Sequence, residues 1–173
     1  MGCVRLAVQV RASRPMENLY YEKLVNASLR FVSYRPRSEK ELKEFLTKKI
    51  IKWKLSGALL VQKVIDRMRE LGYIDDEKFA VWWLGQRTTF KLKGNRVIEL
   101  ELRAKGVPKA IIDPVLATRE PQSALEDAKK AIARKEAIWA KLPPLERKKK
   151  LYDYLGRRGF DFDTIAKLID AEK

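Results

Sequence analysis

A pair of apolar residues four positions apart recurs three times along the chain, and this recurrence constrains the fold more than any other feature. The pairs are Leu42 with Leu46, Ile98 with Leu102, and Leu151 with Leu155. Residues four apart lie on the same face of a helix. Successive pairs start 56 and 53 positions apart, and Gly106 follows its pair at the same distance as Gly159 follows the next. The sequence therefore predicts a divergent tandem repeat of helical units.

We expect an all-α protein built of tandem three-helix repeats, forming an elongated, curved array that is right-handed or solenoid-like. Turn signals divide the chain into three repeats at residues 18–74, 75–119 and 120–173. Residues 1–17 differ, because apolar residues alternate with others from Val4 to Val10 with the period of a strand. We expect this N-terminal extension to be strand-like or disordered.

Turn and capping residues mark several helix ends. Pro36 ends one helix, and Ser38 with Glu41 has the spacing of a capping box that begins the next. Gly72 is placed to end a later helix in the left-handed conformation, and Asp75–Asp76 to begin the helix after it. These signals indicate compact helical units joined by short turns.

Three positions predict departures from regular helices. Ile50 stands where the repeat would have glycine, so the second helix can run on to about Leu55 before breaking at Ser56–Gly57. Asn95 can cap the helix that follows it. Pro114 falls in the middle of a predicted helix, where we expect a kink or a break.

Net charge and composition indicate the class of partner. The chain has 38 Lys and Arg against 23 Asp and Glu, a formal net charge of +15. So large a basic excess indicates a polyanion, and its spread along the whole chain favours nucleic acid over a membrane surface. No apolar run approaches the roughly 20 residues that a membrane span needs, and Cys3 has no partner for an internal disulfide. We therefore expect a cytoplasmic protein.

The chain contains no histidine, which removes histidine-dependent acid–base catalysis, Ser-His and Cys-His nucleophiles and histidine-ligated zinc. Carboxylates at Asp75–Glu77, Asp161 and Asp163 could hold Mg²⁺, as nuclease sites do. Their predicted positions at helix starts favour a capping role instead. We expect no enzymatic activity, no metal and no cofactor.

Three runs of residues point, in combination, to a known family. They comprise Arg35, Pro36, Ser38, Glu41, Leu42 and Leu46, then Leu71, Gly72, Tyr73, Asp75, Phe79 and Ala80, and finally Leu102, Lys105, Gly106 and Val107. In these residues the chain resembles the RecX family, small bacterial proteins that regulate the recombinase RecA. The resemblance covers roughly residues 20–172 and implies tandem three-helix repeats, in agreement with the register described above.

The resemblance also implies a function. A RecX protein would lie in the helical groove of a RecA filament on single-stranded DNA and would modulate, most simply inhibit, strand exchange and ATP turnover in DNA repair and recombination. The expected partners are the RecA filament and single-stranded DNA, contacted directly or within the filament. We expect a monomer with no membrane partner.

Basic residues at turns and helix ends are the predicted contacts, because turns expose cationic groups without burying their stems. They are Arg35, Arg37, Lys91, Lys93, Arg96, Arg103, Lys105, Lys148, Lys149, Arg157 and Arg158. Phe79, Trp83 and Phe90 recur at helical spacing and are expected in the core. Trp53 and Trp82 lie off that stripe and are candidates to stack on bases.

Three other functions stay open at this point. A free-standing nucleic-acid-binding protein of helix-turn-helix type could place the helix from Arg96 to Lys105 in a major groove, although Glu99 and Glu101 on that helix would face phosphates. A metal-dependent nuclease has only the carboxylate clusters in its favour. A purely structural adaptor would bind through its helical surface and show no response to salt.

Overall fold

The computed structural model describes residues 16–55, 58–133 and 135–170, and ten α-helices account for most of them. In chain order they are α1 (Met16–Ser33), α2 (Glu39–Lys52), α3 (Ala58–Glu70), α4 (Asp76–Thr89), α5 (Asn95–Ala104), α6 (Lys109–Ala117), α7 (Pro121–Ala133), α8 (Glu136–Trp139), α9 (Pro144–Arg158) and α10 (Phe162–Asp170). These described residues contain no strand. Residues 1–15 of the N-terminal extension, for which we expected a strand-like or disordered segment, lie outside the described residues. Met16, which the sequence analysis placed in that extension, already begins α1.

The helices bury three separate apolar cores, one for each recurrence of the leucine or isoleucine pair. We call α1–α3 repeat 1, α4–α6 repeat 2 and α7–α10 repeat 3. Leu42 and Leu46 lie fully buried among residues of repeat 1, Ile98 and Leu102 among those of repeat 2, and Leu151 and Leu155 among those of repeat 3. The predicted all-α fold of tandem helical repeats is confirmed. The exact residue boundaries of the three units stay predictions.

Helix ends follow the capping residues in the sequence. The Ser38 Oγ accepts a hydrogen bond from the Glu41 backbone N–H at 3.2 Å and begins α2. The Asp75 carboxylate begins α4 in the same way. At the other end of α3, Gly72 has φ of 72° and is followed by the crossed hydrogen bonds of a Schellman motif. Only half of the predicted capping box forms, because the Glu41 side chain bonds elsewhere.

α2 ends earlier than the expected run to Leu55. It stops at Lys52, because Lys54 adopts a left-handed φ of 54° and the backbone N–H of Leu55 donates to the Ile50 oxygen at 3.1 Å. These are the features of a Schellman motif with lysine where glycine is usual. With 14 residues against the 10 of α5, α2 is therefore about one helical turn longer than its equivalent in repeat 2. The predicted break at Ser56–Gly57 lies outside the described residues.

Pro114 does not break its helix, so the expected break is wrong, while a kink there stays a prediction. α6 continues from Lys109 to Ala117 with Pro114 inside it. A proline removes one backbone donor, and the burial of Ile112 and Val115 on either side of it holds the helix in the core of repeat 2. None of the described helices combines the length and apolar character needed to cross a bilayer.

Candidate nucleic-acid interface at the repeat joints

Repeats 1 and 2 meet where the start of α2 packs against the end of α5. The Ser38 Oγ donates to the backbone oxygen of Lys105 at 2.7 Å, and the Lys40 Nζ donates to that of Ala104 at 3.0 Å. Gly106 has φ of 82°, and a Cβ added there would lie 2.7 Å from the Lys40 Cβ. We call this contact the first joint.

Repeats 2 and 3 meet at the equivalent positions of the repeat, where the donors are backbone N–H groups, and we call this contact the second joint. The Gly94 N–H donates to the Arg158 oxygen at 2.8 Å, and the Arg96 N–H donates to the Gly159 oxygen at 3.1 Å. Gly94 follows Ser38 by 56 positions, and Arg158 follows Lys105 by 53. The repeat register therefore extends from the cores to the contacts between units.

A buried arginine reinforces the second joint. The side chain of Arg119 is only 4% exposed, and its Nη2 lies 2.8 Å from the Asp127 carboxylate of α7. Its Nη1 donates to the Lys93 oxygen at 3.0 Å and to the Asn95 Oδ1 at 2.8 Å. Asn95 is therefore not the cap that the sequence predicted: Gly94 precedes the first turn of α5, and the Asn95 amide holds Arg119. No sequence signal singled out Arg119, because its role depends on partners in two different repeats.

Four of the predicted cations surround the first joint, and all four are engaged within the protein. Arg35 contacts the Glu41 carboxylate through both terminal nitrogens, at 3.1 and 2.9 Å, and Lys105 reaches it at 2.6 Å. Arg37 lies over the ring of Phe31 at 4.1 Å. Burial raises the pKa of Glu41, but the hydrogen bonds from Arg35 and Lys105 outweigh it and hold the pKa below its ordinary value. The fourth cation, Arg103, is exposed and pairs along α5 with Glu99 at 2.6 Å.

The second joint gathers five predicted cations from two distant stretches of sequence, residues 91–96 and 157–158. Arg158 is structural, because its guanidinium donates to the Lys91 oxygen at 2.6 Å and lies 4.7 Å from the ring of Tyr154. The other four, Lys91, Lys93, Arg96 and Arg157, form no ion pair within the described part of the chain. Lys93 is half-buried and the other three are exposed. The joint thus concentrates cationic groups that have no carboxylate of their own.

Lys148 and Lys149 lie apart from this group. They are exposed near the start of α9, beside Leu145 and Tyr152. Eight residues of helix separate Lys149 from Arg157, a distance of about 12 Å along the axis. The structure therefore does not join all the predicted cations into one surface.

The aromatic residues divide between core and partial exposure. Phe79 and Trp83 are buried as predicted, whereas Phe90 is 63% exposed because it lies at the C-terminal end of α4, beyond the core of repeat 2. Trp82 is half-buried against Phe79 and lies 5.7 Å from the Arg35 guanidinium. Trp53 is half-buried against the core of repeat 1. Stacking of Trp53 or Trp82 on a base stays a prediction.

Three of the five carboxylates that could have served a nuclease accept backbone hydrogen bonds at helix starts. Asp75 begins α4, and Asp161 accepts hydrogen bonds from the backbone N–H and hydroxyl of Thr164 at the start of α10. Asp76 accepts from the Glu39 N–H at 2.9 Å and so links α4 to the first turn of α2. Burial raises the pKa of Asp76 despite that hydrogen bond. The described residues contain no group of three potential metal ligands.

The surroundings of α5 disfavour its use as a recognition helix. Such a helix presents its N-terminal residues to base edges in the major groove. Here the N-terminus of α5 is covered by the backbone of Arg158 and Gly159, and its C-terminus packs on Lys40. Glu101, on the side of α5, is bound by Trp83 and Arg87 of α4.

Comparison with known proteins identifies the family. Residues 75–116 match the family model of the second three-helix domain of RecX, and residues 122–169 match the third. The chain is 32% identical over 149 residues to Regulatory protein RecX of Chlorobium phaeobacteroides, spanning 93% of that protein. The chain belongs to the RecX family. It is also 32% identical over 150 residues to Regulatory protein RecX of Bacillus cytotoxicus, but spans only 54% of that longer relative.

Solved RecX structures share the fold. The crystal structure of RecX from Lactobacillus salivarius superposes with a TM-score of 0.77 at 22% identity, covering 87% of this chain and 95% of that one. A second crystal structure, of regulatory protein RecX, gives a TM-score of 0.74 at 24% identity, covering 87% of this chain and 73% of that one. At these identities the likeness concerns the arrangement of helices.

Proposed function

We propose that this RecX-family chain binds RecA filaments assembled on single-stranded DNA in the cytoplasm and inhibits the recombinase. Membership of a family whose relatives are named regulatory proteins supports a regulatory role. The observation that carries the proposal to a nucleic-acid assembly is the second joint, where Lys91, Lys93, Arg96 and Arg157 have no carboxylate partner in the described chain.

Phosphate groups are the ligands that suit this set of cations. Three of the four side chains are exposed, so binding phosphate costs them little desolvation. Each phosphate contact releases condensed counterions, which makes the binding dependent on salt. Because the joint fixes the positions of residues 91–96 relative to Arg157, the cations form a preorganised group.

The proposed action is occupancy and involves no chemistry. The chain has no histidine, and Asp75, Asp76 and Asp161 are used as caps. Tandem helical repeats present an extended surface that can contact several protomers of a filament. A bound chain would hinder both extension of the filament and the cycle of ATP hydrolysis along it.

The rate of ATP hydrolysis by RecA on single-stranded DNA tests this proposal. We expect the rate to fall at substoichiometric amounts of the protein, since one bound chain affects several protomers. The alanine variant of Lys91, Lys93 and Arg96 should need a higher concentration for the same effect. An unchanged rate at stoichiometric protein would contradict filament regulation and leave a general nucleic-acid-binding protein.

A further inference from the structure

A groove between α9 and α10 exposes apolar side chains that the fold does not cover. Leu145, Tyr152 and Ile169 line it, together with the charged residues Glu146, Lys148 and Lys149, and its volume is about 560 Å³. Leu145 is 82% exposed and Tyr152 is 45% exposed. Apolar side chains grouped in a groove are typical of binding surfaces, whereas single exposed apolar residues are common everywhere.

One side of the groove is a second face of α9, different from the face that packs in the core of repeat 3. Leu151 and Leu155 on one face lie buried in the core of repeat 3. Positions 145, 148, 149 and 152 have the spacing of another helical face. Phe162 extends this face, since its ring is 66% exposed and packs edge-on against Tyr152 with centroids 6.3 Å apart. The core of repeat 3 therefore does not account for these side chains.

A further repeat docked through a third joint does not fit this place. Gly94 donates a backbone hydrogen bond at the second joint. The equivalent position in the next repeat, 53 residues later, is Arg147. Arg147 instead lies inside α9, and its N–H donates to the Pro143 oxygen at 2.9 Å. The first turn of α9 has no counterpart in α2 or α5, and it supplies Leu145 to the groove.

Charge disfavours two other occupants. Residues 1–15 contain three arginines and no carboxylate, so this segment would bring like charge to Lys148 and Lys149. A second copy of the chain would bring the same lysines and a formal net charge of +15. Neither lysine has an ion pair among the described residues, so both are available to carboxylates of a partner.

We propose that this groove docks an acidic, amphipathic segment of a partner protein. Apolar side chains of the segment occupy the space between Leu145, Tyr152 and Ile169, and its carboxylates pair with Lys148 and Lys149. The α9 face from 145 to 152 is about 10 Å long, which matches two turns of a docked helix.

A labelled synthetic peptide tests the proposal without RecA or DNA, so that its failure would leave filament regulation untouched. The probe is a fluorescein-labelled helix of four turns with Leu at i, i+3, i+4 and i+7 and Glu at most other positions. Fluorescence anisotropy with the full chain should show binding that weakens at least fivefold in Leu145→Ser and in Lys148→Glu/Lys149→Glu. The matched control, Lys43→Glu/Lys48→Glu, makes the same change of charge at two exposed positions of α2 and should bind within twofold of the unmodified chain.

Three results would overturn the proposal. Equal affinity of the Leu145→Ser variant would show that the groove is not used. Equal affinity for a peptide with Ser in place of Leu would reduce the binding to non-specific charge attraction. Tighter association with phosphatidylglycerol vesicles than with the peptide would assign the surface to a membrane. Leu145 is largely exposed, so its substitution should leave the fold intact, and circular dichroism would verify this.

Discussion

At the scale of single residues, the cations at the joints fall into two groups: those bound by a carboxylate of the described chain and those without one. Glu41 binds both Arg35 and Lys105, so those two side chains stabilise the contact between repeats 1 and 2. Around the second joint, Lys93 and Arg96 have no such carboxylate in the described chain. Cations of the same type therefore serve the fold at one joint and are available to phosphates at the other.

Replacing Glu41 with glutamine removes the charge between Arg35 and Lys105. Because these partners hold the pKa of Glu41 below its ordinary value, the carboxylate stabilises the fold at neutral pH and loses that contribution as the pH falls below about 4. We expect E41Q to lower the free energy of unfolding at pH 7 by about 2 kcal/mol. The loss should shrink below pH 4, as urea unfolding at several pH values would show.

E44Q is the matched control for this variant. Glu44 is exposed and lies 4.0 Å from Lys40, so its substitution should change the free energy of unfolding by less than about 0.5 kcal/mol. Equal destabilisation by E41Q and E44Q would contradict the role of Glu41 at the first joint.

Replacing Lys91, Lys93 and Arg96 with alanine tests the cations at the second joint. The slope of log affinity for single-stranded DNA against log salt should flatten by about 0.7 for each lost phosphate contact, about two units in all. Titrations by anisotropy at several salt concentrations measure it. Alanine at Lys43 and Lys48, which are exposed on α2, should leave the slope unchanged. A slope retained by the triple variant would assign these side chains to solvent.

At the scale of elements, the second joint depends on close approach of two backbones. The second joint places Gly94 against Gly159, and an added Cβ at Gly94 would collide with the Gly159 oxygen. Gly159 itself has φ of 85°, a conformation that favours glycine. The contact therefore needs glycine on both sides, one for space and one for conformation.

Substituting alanine for Gly94 should separate or distort the second joint. We expect G94A to lower the free energy of unfolding by about 1–3 kcal/mol, the usual cost of overpacking, because the obstacle is backbone and cannot rotate away. G156A is the control, since a Cβ at Gly156 meets nothing within 4 Å inside α9, and it should stabilise the helix by up to about 1 kcal/mol. Thermal unfolding compares them, and equal stability of the two variants would refute this packing.

Local signals predicted the elements better than the contacts between them. The helical periodicity around Leu42 and Leu46 and the caps at Ser38 and Asp75 depend on neighbouring residues, and they agree with the structure. The Ser38 contact with Lys105 joins residues 67 apart, and no local pattern encodes it. The left-handed Lys54 escaped prediction because glycine is the usual residue there.

The sequence predicted that the candidate site is a group of cations at turns, but it predicted the individual residues of that group less well. Placing cations at turns identified residues 91–96 and 157–158, which the second joint brings together. The same reasoning included Lys105 and Arg158, whose partners Glu41 and Lys91 lie 64 and 67 residues away. Arg119 escaped it entirely, because burial between two repeats leaves no mark in a single sequence.

At the scale of the whole molecule, three small cores are linked in series by two joints at equivalent positions of the repeat. The chain spans about half of its Bacillus relatives but 93% of the Chlorobium protein, so members of different lengths occur in the same family. Repeats that contact only their neighbours form an extended surface, which is what a filament-binding regulator requires.

Fluorescence anisotropy with labelled single-stranded DNA tests filament binding most directly. The DNA is presented either bare or coated with RecA and a non-hydrolysable nucleotide, at matched salt and length. We expect the protein to bind the coated DNA with clearly higher affinity, because the filament offers recombinase surface as well as phosphate. Equal or weaker binding to the coated DNA would contradict filament regulation and show that the protein acts on nucleic acid alone.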